Sequence, residues 1–424
     1  MLLRSSVPAL LTSLVCAAVA CAQSTTPYVP EPQPARSEYL VGSHYFPGWK
    51  EGQHFVPWPG EDKAWGWYKI EPYPNRTPLL GYYDEGSPEV ADWEIKWALE
   101  HGISYFVYCW YRQRDNVGQP LSEETLRLGH AIHEGLFRAR YRDRFHFAIM
   151  WENNNGGGVS SLDDLFHNLV PFWIENYFRQ PSYLKINGKP VLYVYHLGRL
   201  LKDLDGPEQT RDAMTRLRAA VVAAGFPGLV LLCRCPSSDT APFAEIRDLG
   251  FDATFSYGWR PPQQRPTAQE AVTYQLESLQ AWHRQQILPF ASIVSMGWDP
   301  LPWNRDHPST PRLLPSKMSR WMLSPEQFQT VLAQAKTMMD RQPADSLSRR
   351  LLLLDNWNEW GEGHYIAPHA GAGFGYLKAV REVFTACDNH PDYRSPFELG
   401  LGPYDSRHRA RWSQEPKPSP ADAR

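Results

Sequence analysis

Leu351-Leu352-Leu353-Leu354-Asp355-Asn356-Trp357-Asn358-Glu359-Trp360-Gly361-Glu362-Gly363 changes character halfway along. Its first half is a short apolar run of the kind that forms a buried strand. Its second half is amides, rings and carboxylates. Glu359 and Glu362 stand three positions apart, flanked by tryptophans and glycines. Paired carboxylates beside aromatic rings suit the breaking of a bond between sugars. One group donates a proton, the other acts as base or nucleophile, and the rings offer flat faces to pyranoses.

Seven more runs of this kind precede it: Tyr39–Phe46, Ile103–Trp110, Phe145–Trp151, Val191–His196, Leu229–Cys235, Ala253–Tyr257 and Phe290–Ser295. Helix-like stretches separate them. Ser87-Pro88-Glu89 opens one, with Val90, Trp93 and Trp97 as its apolar stripe and Gly102 as its stop. A second carries Leu162, Leu165, Phe166, Leu169, Trp173 and Tyr177 on one face, with Pro171 expected to bend it. A third starts at the capping box Ser324-Pro325-Glu326-Gln327. Asn187-Gly188 reads as a hairpin turn before the fourth run. Alternating strands and helices imply parallel pairing, and eight such units predict an α/β fold, a (β/α)8 TIM-type barrel.

In such a barrel the C-terminal strand ends carry the chemistry. The ends here are rich in tryptophan beside Glu, Asp, Asn or Arg. The candidate catalytic residues are Glu359 and Glu362. If the chain turns helically after the strand, their Cβ atoms lie ~5–6 Å apart. Two carboxyls that close do not both ionise cheaply, so one keeps a proton and serves as acid. Candidate sugar contacts are His44, Tyr45, Trp49, Trp110, Tyr111, Glu152, Asn153, His196, Tyr257, Trp259, Trp298, Asp299, Trp357 and Asn358. The loop from Gly48 to Trp67 adds Trp58, Trp65, His54, Glu61 and Asp62 as a roof for the same cleft.

The 424 residues include 17 Trp, 21 Tyr and 18 Phe, more rings than a core alone needs. A net charge of −3 argues against broad nucleic-acid binding, which needs a basic face. Residues 1–22 read as a signal peptide, with Arg4, the apolar Val7–Ala20 stretch and a cleavage site at Ala20-Cys21-Ala22. The alternative is a lipoprotein site with the lipid on Cys21. Residues 23–37 read as a loose proline-rich linker, 38–405 as the catalytic domain and 406–424 as a disordered tail. No later stretch has the apolar length of a membrane span. The chain is therefore expected to be exported: periplasmic, extracellular or lipid-anchored. Cys109, Cys233 and Cys235 fall inside strand-like runs and are expected to be buried thiols. No Cys/His spacing suits zinc, and neither metal nor cofactor is expected.

These residues resemble the glycoside hydrolase family 99-like group, also called WbsX-type proteins, and more distantly the endo-α-mannosidases of family 99. The likeness runs from Tyr39 to Phe384. It rests on His44-Tyr45-Phe46-Pro47-Gly48-Trp49, Pro78-Leu79-Leu80-Gly81-Tyr82-Tyr83-Asp84, the stretch from Asp92 to Tyr111, Trp151-Glu152-Asn153 and Trp357–Gly363. The resemblance implies a barrel and retaining hydrolysis without a metal. One glutamate acts as base on the substrate's own 2-hydroxyl, giving a 1,2-anhydro sugar, and the other protonates the leaving oxygen. By motif position Glu359 is the base and Glu362 the acid, and Trp110 matches a ring that packs against sugar. The implied substrate is an α-linked, mannose- or rhamnose-like glycan cut within the chain. His364-Tyr365-Ile366-Ala367-Pro368 departs from the relatives, with Ala367 where WbsX-type proteins carry an acid, and Gly361 is a further departure. Two rivals stand beside this reading: a glycosyltransferase using Asp203-Leu204-Asp205, and a non-catalytic carbohydrate-binding barrel.

Overall fold

Each of the eight apolar runs forms a strand, and the strands pair in parallel around a ring. The computed structural model describes residues 28–50, 66–154, 157–236, 238–304 and 319–405. The strands are β1 (Leu40–Tyr45), β2 (Tyr105–Arg112), β3 (His146–Trp151), β4 (Lys189–Val194), β5 (Val230–Arg234), β6 (Ala253–Phe255), β7 (Ser292–Ser295) and β8 (Leu351–Asp355). Hydrogen-bonded order runs β6-β5-β4-β3-β2-β1-β8-β7. A single bridge between Thr254 and Phe290 joins β6 to the approach of β7 and closes the circle. There Thr254 N donates to Pro289 O and Ala291 N to Thr254 O, both at 2.9 Å. This is the expected (β/α)8 barrel. Asn187 and Gly188, with φ of 51° and 77°, make the expected hairpin turn from Lys185–Ile186 into β4.

The crossovers are α1 (Pro88–Glu100), α2 (residues 131–138), α3 (residues 162–178), α4 (Pro207–Ala223), α5 (Pro242–Asp248) and α6 (Ala268–Arg284), followed by α7 (Pro325–Met339) and α8 (Gly375–Phe384). The capping box of α7 forms: Ser324 N donates to Gln327 Oε1 at 2.9 Å and Gln327 N to Ser324 Oγ at 3.3 Å. Pro171 perturbs α3 as a missing N–H must, with π-type turns at Leu165–Leu169 and Ile174–Phe178 on either side. Ser87 precedes α1 but makes no side-chain cap.

Helix α1 is buried on more than its apolar stripe. Asp92, Glu94, Lys96 and Glu100 are all buried; Glu94 faces the barrel, and residues 28–37 lie along Asp92 and Glu100. Tyr28 Oη donates to Asp92 Oδ2 at 2.6 Å, and Ala35 N donates to Leu99 O at 2.9 Å. That part of the expected loose linker is thus held against the barrel wall. Its proline-rich composition gave no hint of these bonds, which run to residues 60 or more positions away. Residues 1–27, among them the signal peptide and Cys21, lie outside the described residues, as do Trp58, Trp65, His54, Glu61, Asp62 and the tail 406–424. No helix among the described residues is long and apolar enough to cross a membrane.

Buried side chains line the barrel interior. Cys109, Cys233 and Cys235 are buried free thiols, as expected. On β2 the residues Tyr105, Cys109 and Tyr111 point inward, and Phe106, Tyr108 and Trp110 point out towards the helices, following the two-residue period of a strand. Tyr105 fits because β1 carries Gly42 opposite it. A Cβ on Gly42 would lie 2.2 Å from the Tyr105 ring. Gly42→Ala is therefore expected to destabilise the protein by about 1–3 kcal/mol through overpacking. Urea unfolding checks this, and adding Tyr105→Leu should recover part of the loss. A Gly42→Ala variant as stable as the parent would show that the ring moves aside freely.

Candidate active site

Strand β8 ends at Asp355, whose side chain turns into the top of the barrel. Gly258 makes room for it, since a Cβ there would stand 2.4 Å from Asp355 Oδ2. That oxygen accepts from Ser295 Oγ of β7 at 2.6 Å. The chain then runs out through Asn358–Glu359, turns, and returns as His364–Tyr365, with Glu359 opposite His364 in a short antiparallel ladder. Gly363 N donates to Glu359 O at 2.9 Å, closing one helical turn within a hairpin. The helical path expected after the strand therefore lasts a single turn. Gly363 has a φ of 73°, and a Cβ on it would press into the Asp299 backbone, so only glycine suits the turn.

This hairpin brings Glu359, Glu362 and His364 together. One oxygen or nitrogen from each lies within 4.8 Å of the others. His364 Nδ1 bonds Asp355 Oδ1 at 2.7 Å, and Nε2 bonds Glu362 Oε2 at 3.0 Å. Burial works against a charged ring. The Asp355 carboxylate and then Glu362 outweigh it, and the His364 pKa is pushed up to about 10. In turn, burial would raise Asp355, but the charge and hydrogen bond of His364 hold it below the usual carboxylate range. Glu359 has the opposite fate. Burial first, and the neighbouring Glu362 second, push it well above the carboxylate range. Its Oε2 is buried with no hydrogen-bond partner among the described residues. Burial and the neighbouring Glu362 thus favour the neutral form of Glu359, while Glu362 bonds the His364 ring. With both ring nitrogens committed to carboxylates, His364 has no lone pair to offer a metal ion, so these three residues fit a proton-handling site better than a metal centre.

The predicted sugar contacts divide in two. Tyr257 belongs to the site: its ring lies 5.8 Å from that of His364, and Asn356 Nδ2 donates to its hydroxyl at 2.6 Å. Trp298 stands 5.0 Å from the His364 ring and is half-buried. Tyr111 and Glu152 lie in the same electrostatic neighbourhood as Glu359. His44 is beneath them, 4.7 Å from Tyr257, with neither ring nitrogen bonded among the described residues. Burial pushes its pKa down to about 3.

The others hold the frame. Trp110 points out of the barrel, donates to Tyr177 Oη of α3 at 2.9 Å and meets Trp173 edge-on. It is not placed to pack against a sugar. Tyr45 also faces outward and donates to Glu94 Oε2 at 2.8 Å. Trp357 donates to Glu94 Oε1 at 3.0 Å, and Trp259 is buried against Trp282. Trp49 is fully buried, stacks on Trp67 at 4.3 Å and donates to Asn358 O at 2.8 Å. Asn358 bonds Glu85 and both backbone groups of Phe46. Asn153 exchanges two hydrogen bonds with the His196 backbone, and His196 caps the next helix through Nδ1. Asp299 is taken by Arg76 and Arg320 at 2.7 and 2.8 Å. In each case strand alternation or a local bond commits the side chain to the frame.

His364, Asp355 and Ser295 are bonded into the candidate site, and the pattern of paired glutamates did not single them out. The available signal was the tight Gly361–Gly363 turn, which sets position 364 opposite 359. His364→Gln should cost of the order of 3–5 kcal/mol by stranding Asp355. The sign with pH follows from a raised folded-state pKa. The stabilisation by charged His364 is complete below about pH 6.5 and is lost as pH rises through about 10. The melting-temperature gap between parent and variant should therefore narrow from neutral to alkaline pH. A constant gap would mean that the ring is not charged.

Comparison with known proteins agrees with this architecture. The family described as Glycosyltransferase WbsX matches residues 163–380, just over half of the chain. The protein WxcX of Xanthomonas campestris pv. campestris, described as uncharacterized, is 25% identical over 384 residues, covering 84% of this chain and 50% of its own length. The chain spans about half the length of the curated relatives it matches. Among solved structures, the family 99 endo-α-mannosidase of Bacteroides thetaiotaomicron in complex with bis-tris-propane superposes with a TM-score of 0.54 at 15% identity, over 82% of this chain and 97% of that one. A second structure of that enzyme gives 0.53 at 14% identity, over 81% and 96%. At that identity the likeness establishes the barrel and its course, not the reaction. The chain belongs to the WbsX family and has the fold of the family 99 glycoside hydrolases.

Proposed function

We propose that the protein is a glycoside hydrolase that cleaves an α-linked glycan within the chain, with retention of configuration. The observation that carries this is the Glu359–Glu362 pair, one carboxyl buried with an unbonded oxygen, the other within 4.8 Å and bonded to His364. Two carboxyls this near each other can act on the same sugar unit, one on its 2-hydroxyl and one on its leaving oxygen. The proposed route uses the substrate's 2-hydroxyl. A base takes its proton, O2 attacks C1, and the C1–O bond breaks as the acid protonates the leaving oxygen. Water then opens the 1,2-anhydro sugar with the two roles reversed. Mannose- and rhamnose-like α-linkages supply the trans geometry this needs. The apolar stretch Val7–Ala20 supports export as part of the same proposal, with Cys21 as the alternative lipid anchor.

The charges at rest favour Glu359 as acid and Glu362 as base, the reverse of the order implied by motif position. The motif order would need the proton to pass from Glu359 to Glu362 when substrate binds. A transferase reading has less support. Asp203 is already engaged by Arg199 Nε at 2.6 Å, and Asp205 sits in a turn with a φ of 57°.

Both Glu359→Gln and Glu362→Gln are expected to lose about 10²–10⁴-fold in reducing-end release from an α-mannan or rhamnan. On the matching glycosyl fluoride, whose leaving group needs no proton, only the variant lacking the acid should keep turnover. Survival of Glu359→Gln supports the charge order, and survival of Glu362→Gln the motif order. Undiminished glycan cleavage by both variants would refute the assignment of the pair.

A further inference from the structure

Most arginines at the active-site end of the barrel are matched by acceptors. Arg76 is spent on Asp299 and Trp360 O, Arg112 on Asp164, Arg199 on Asp203 and Arg320 on Asp299. Arg234 and Arg260 are different. Arg234 ends β5, is half-buried, and uses only its Nε, which donates to Tyr195 O at 3.0 Å. Its guanidinium lies 3.9 Å over the Tyr195 ring. Arg260 follows β6, is exposed, and stacks 3.7 Å over the half-buried Trp298 ring. Neither is paired with a carboxylate among the described residues.

The rings beneath them lead directly to the acid pair. Tyr195 meets Tyr257 edge-on at 5.7 Å, and Tyr257 in turn meets His364. Trp298 lies against His364 from the other side. The charges of Arg234, Arg260, Glu362 and Glu152 all act on the Tyr195 hydroxyl, so they share one neighbourhood. Stacking fixes the plane of a guanidinium and leaves its N–H edge free. A free, oriented fork matches the paired oxygens of an anion. A neutral sugar gives such a fork only single hydroxyl bonds.

We infer that Arg234 and Arg260 form an anion subsite beside the acid pair, and that the glycan substrate carries a negatively charged group (a carboxylate, or a sulfate or phosphate ester) on a sugar bound at the barrel mouth. This rests on the hydrolase reading for the word substrate, but the subsite itself is a matter of binding and is tested as such.

The test is calorimetric titration of the full chain carrying Glu359→Gln, which keeps glycans intact. The probes are glucuronic acid-containing oligosaccharides and their carboxyl-reduced counterparts, with sulfated and phosphorylated oligosaccharides beside their dephosphorylated or desulfated forms. At low ionic strength the charged member of at least one pair should bind about tenfold more tightly, as a charge-assisted fork predicts. That advantage should shrink in high salt. It should also fall in Arg260→Gln, whose exposed side chain is not needed for folding, and vanish in Arg234→Gln/Arg260→Gln. The pair that shows the advantage identifies the anion. Equal binding of charged and neutral members throughout, or a preference that survives the double variant, overturns the inference. If the preference holds while the parent protein releases no reducing ends from the bound glycan, the subsite stands and the hydrolase reading falls.

Discussion

The hydrogen-bonded line from Ser295 through Asp355 and His364 to Glu362 governs the site. A buried carboxylate is costly unless a cation or several donors meet it. Asp355 is met by both, a hydroxyl at 2.6 Å and an imidazole nitrogen at 2.7 Å. The ring it charges then offers its other N–H to Glu362 at 3.0 Å. Glu362 bonds the charged ring directly and Glu359 does not, so burial favours the neutral form of Glu359. Three barrel strands are needed to build this. Strand β8 supplies Asp355, β7 supplies Ser295, and Gly258 beyond β6 leaves the space in which the carboxylate sits.

A second pair of acids does a different task outside the barrel wall. Glu85 and Glu94 are buried, and burial raises both, Glu94 to about 8. Four of the hydrogen bonds they accept come from groups that hold the segment before Glu359. Glu94 receives Trp357 Nε1 and Tyr45 Oη, and Glu85 receives Asn358 Nδ2 and the Trp49 amide. Trp357 and Asn358 are therefore pegs. They fix where the hairpin leaves β8, so that Glu359 and Glu362 turn inward over the aromatic fill of the barrel.

This explains which parts of the molecule were legible in the sequence. The eight runs were readable because a strand buried on both faces is a local, continuous signal. The carboxyl pair was readable because it lies within one motif. The rings were not, because a tryptophan at a strand end serves equally well facing the sugar or facing a helix. Trp110 differs from Cys109 and Tyr111 only by the parity of the strand, and its outward turn depends on Tyr177 and Trp173, some 60 residues on. Trp49, Tyr45 and Trp357 fell to the outer layer through bonds to Glu85 and Glu94, contacts that no local pattern reveals. His364 escaped for a related reason. Its role comes from lying across a hairpin from Glu359, and from an aspartate that reads as the last residue of an apolar strand.

The charges of the hollow also bear on what it can admit. Two glutamates and an aspartate would repel an anionic glycan if all were ionised and unscreened. The His364 cation cancels one of them, and the proton on Glu359 removes another. Of these three, one negative charge remains, with Glu152 in the same neighbourhood and the two guanidiniums near it. On the proposed reading, Arg234 and Arg260 oppose that charge at the mouth and would draw an anionic sugar inward within about one Debye length. Deeper in, such a sugar would meet Glu359, whose burial favours the neutral carboxyl. The departure at His364 thus ties the two ends of the site together: the same cation that assigns the proton also keeps the floor of the hollow from opposing a charged substrate.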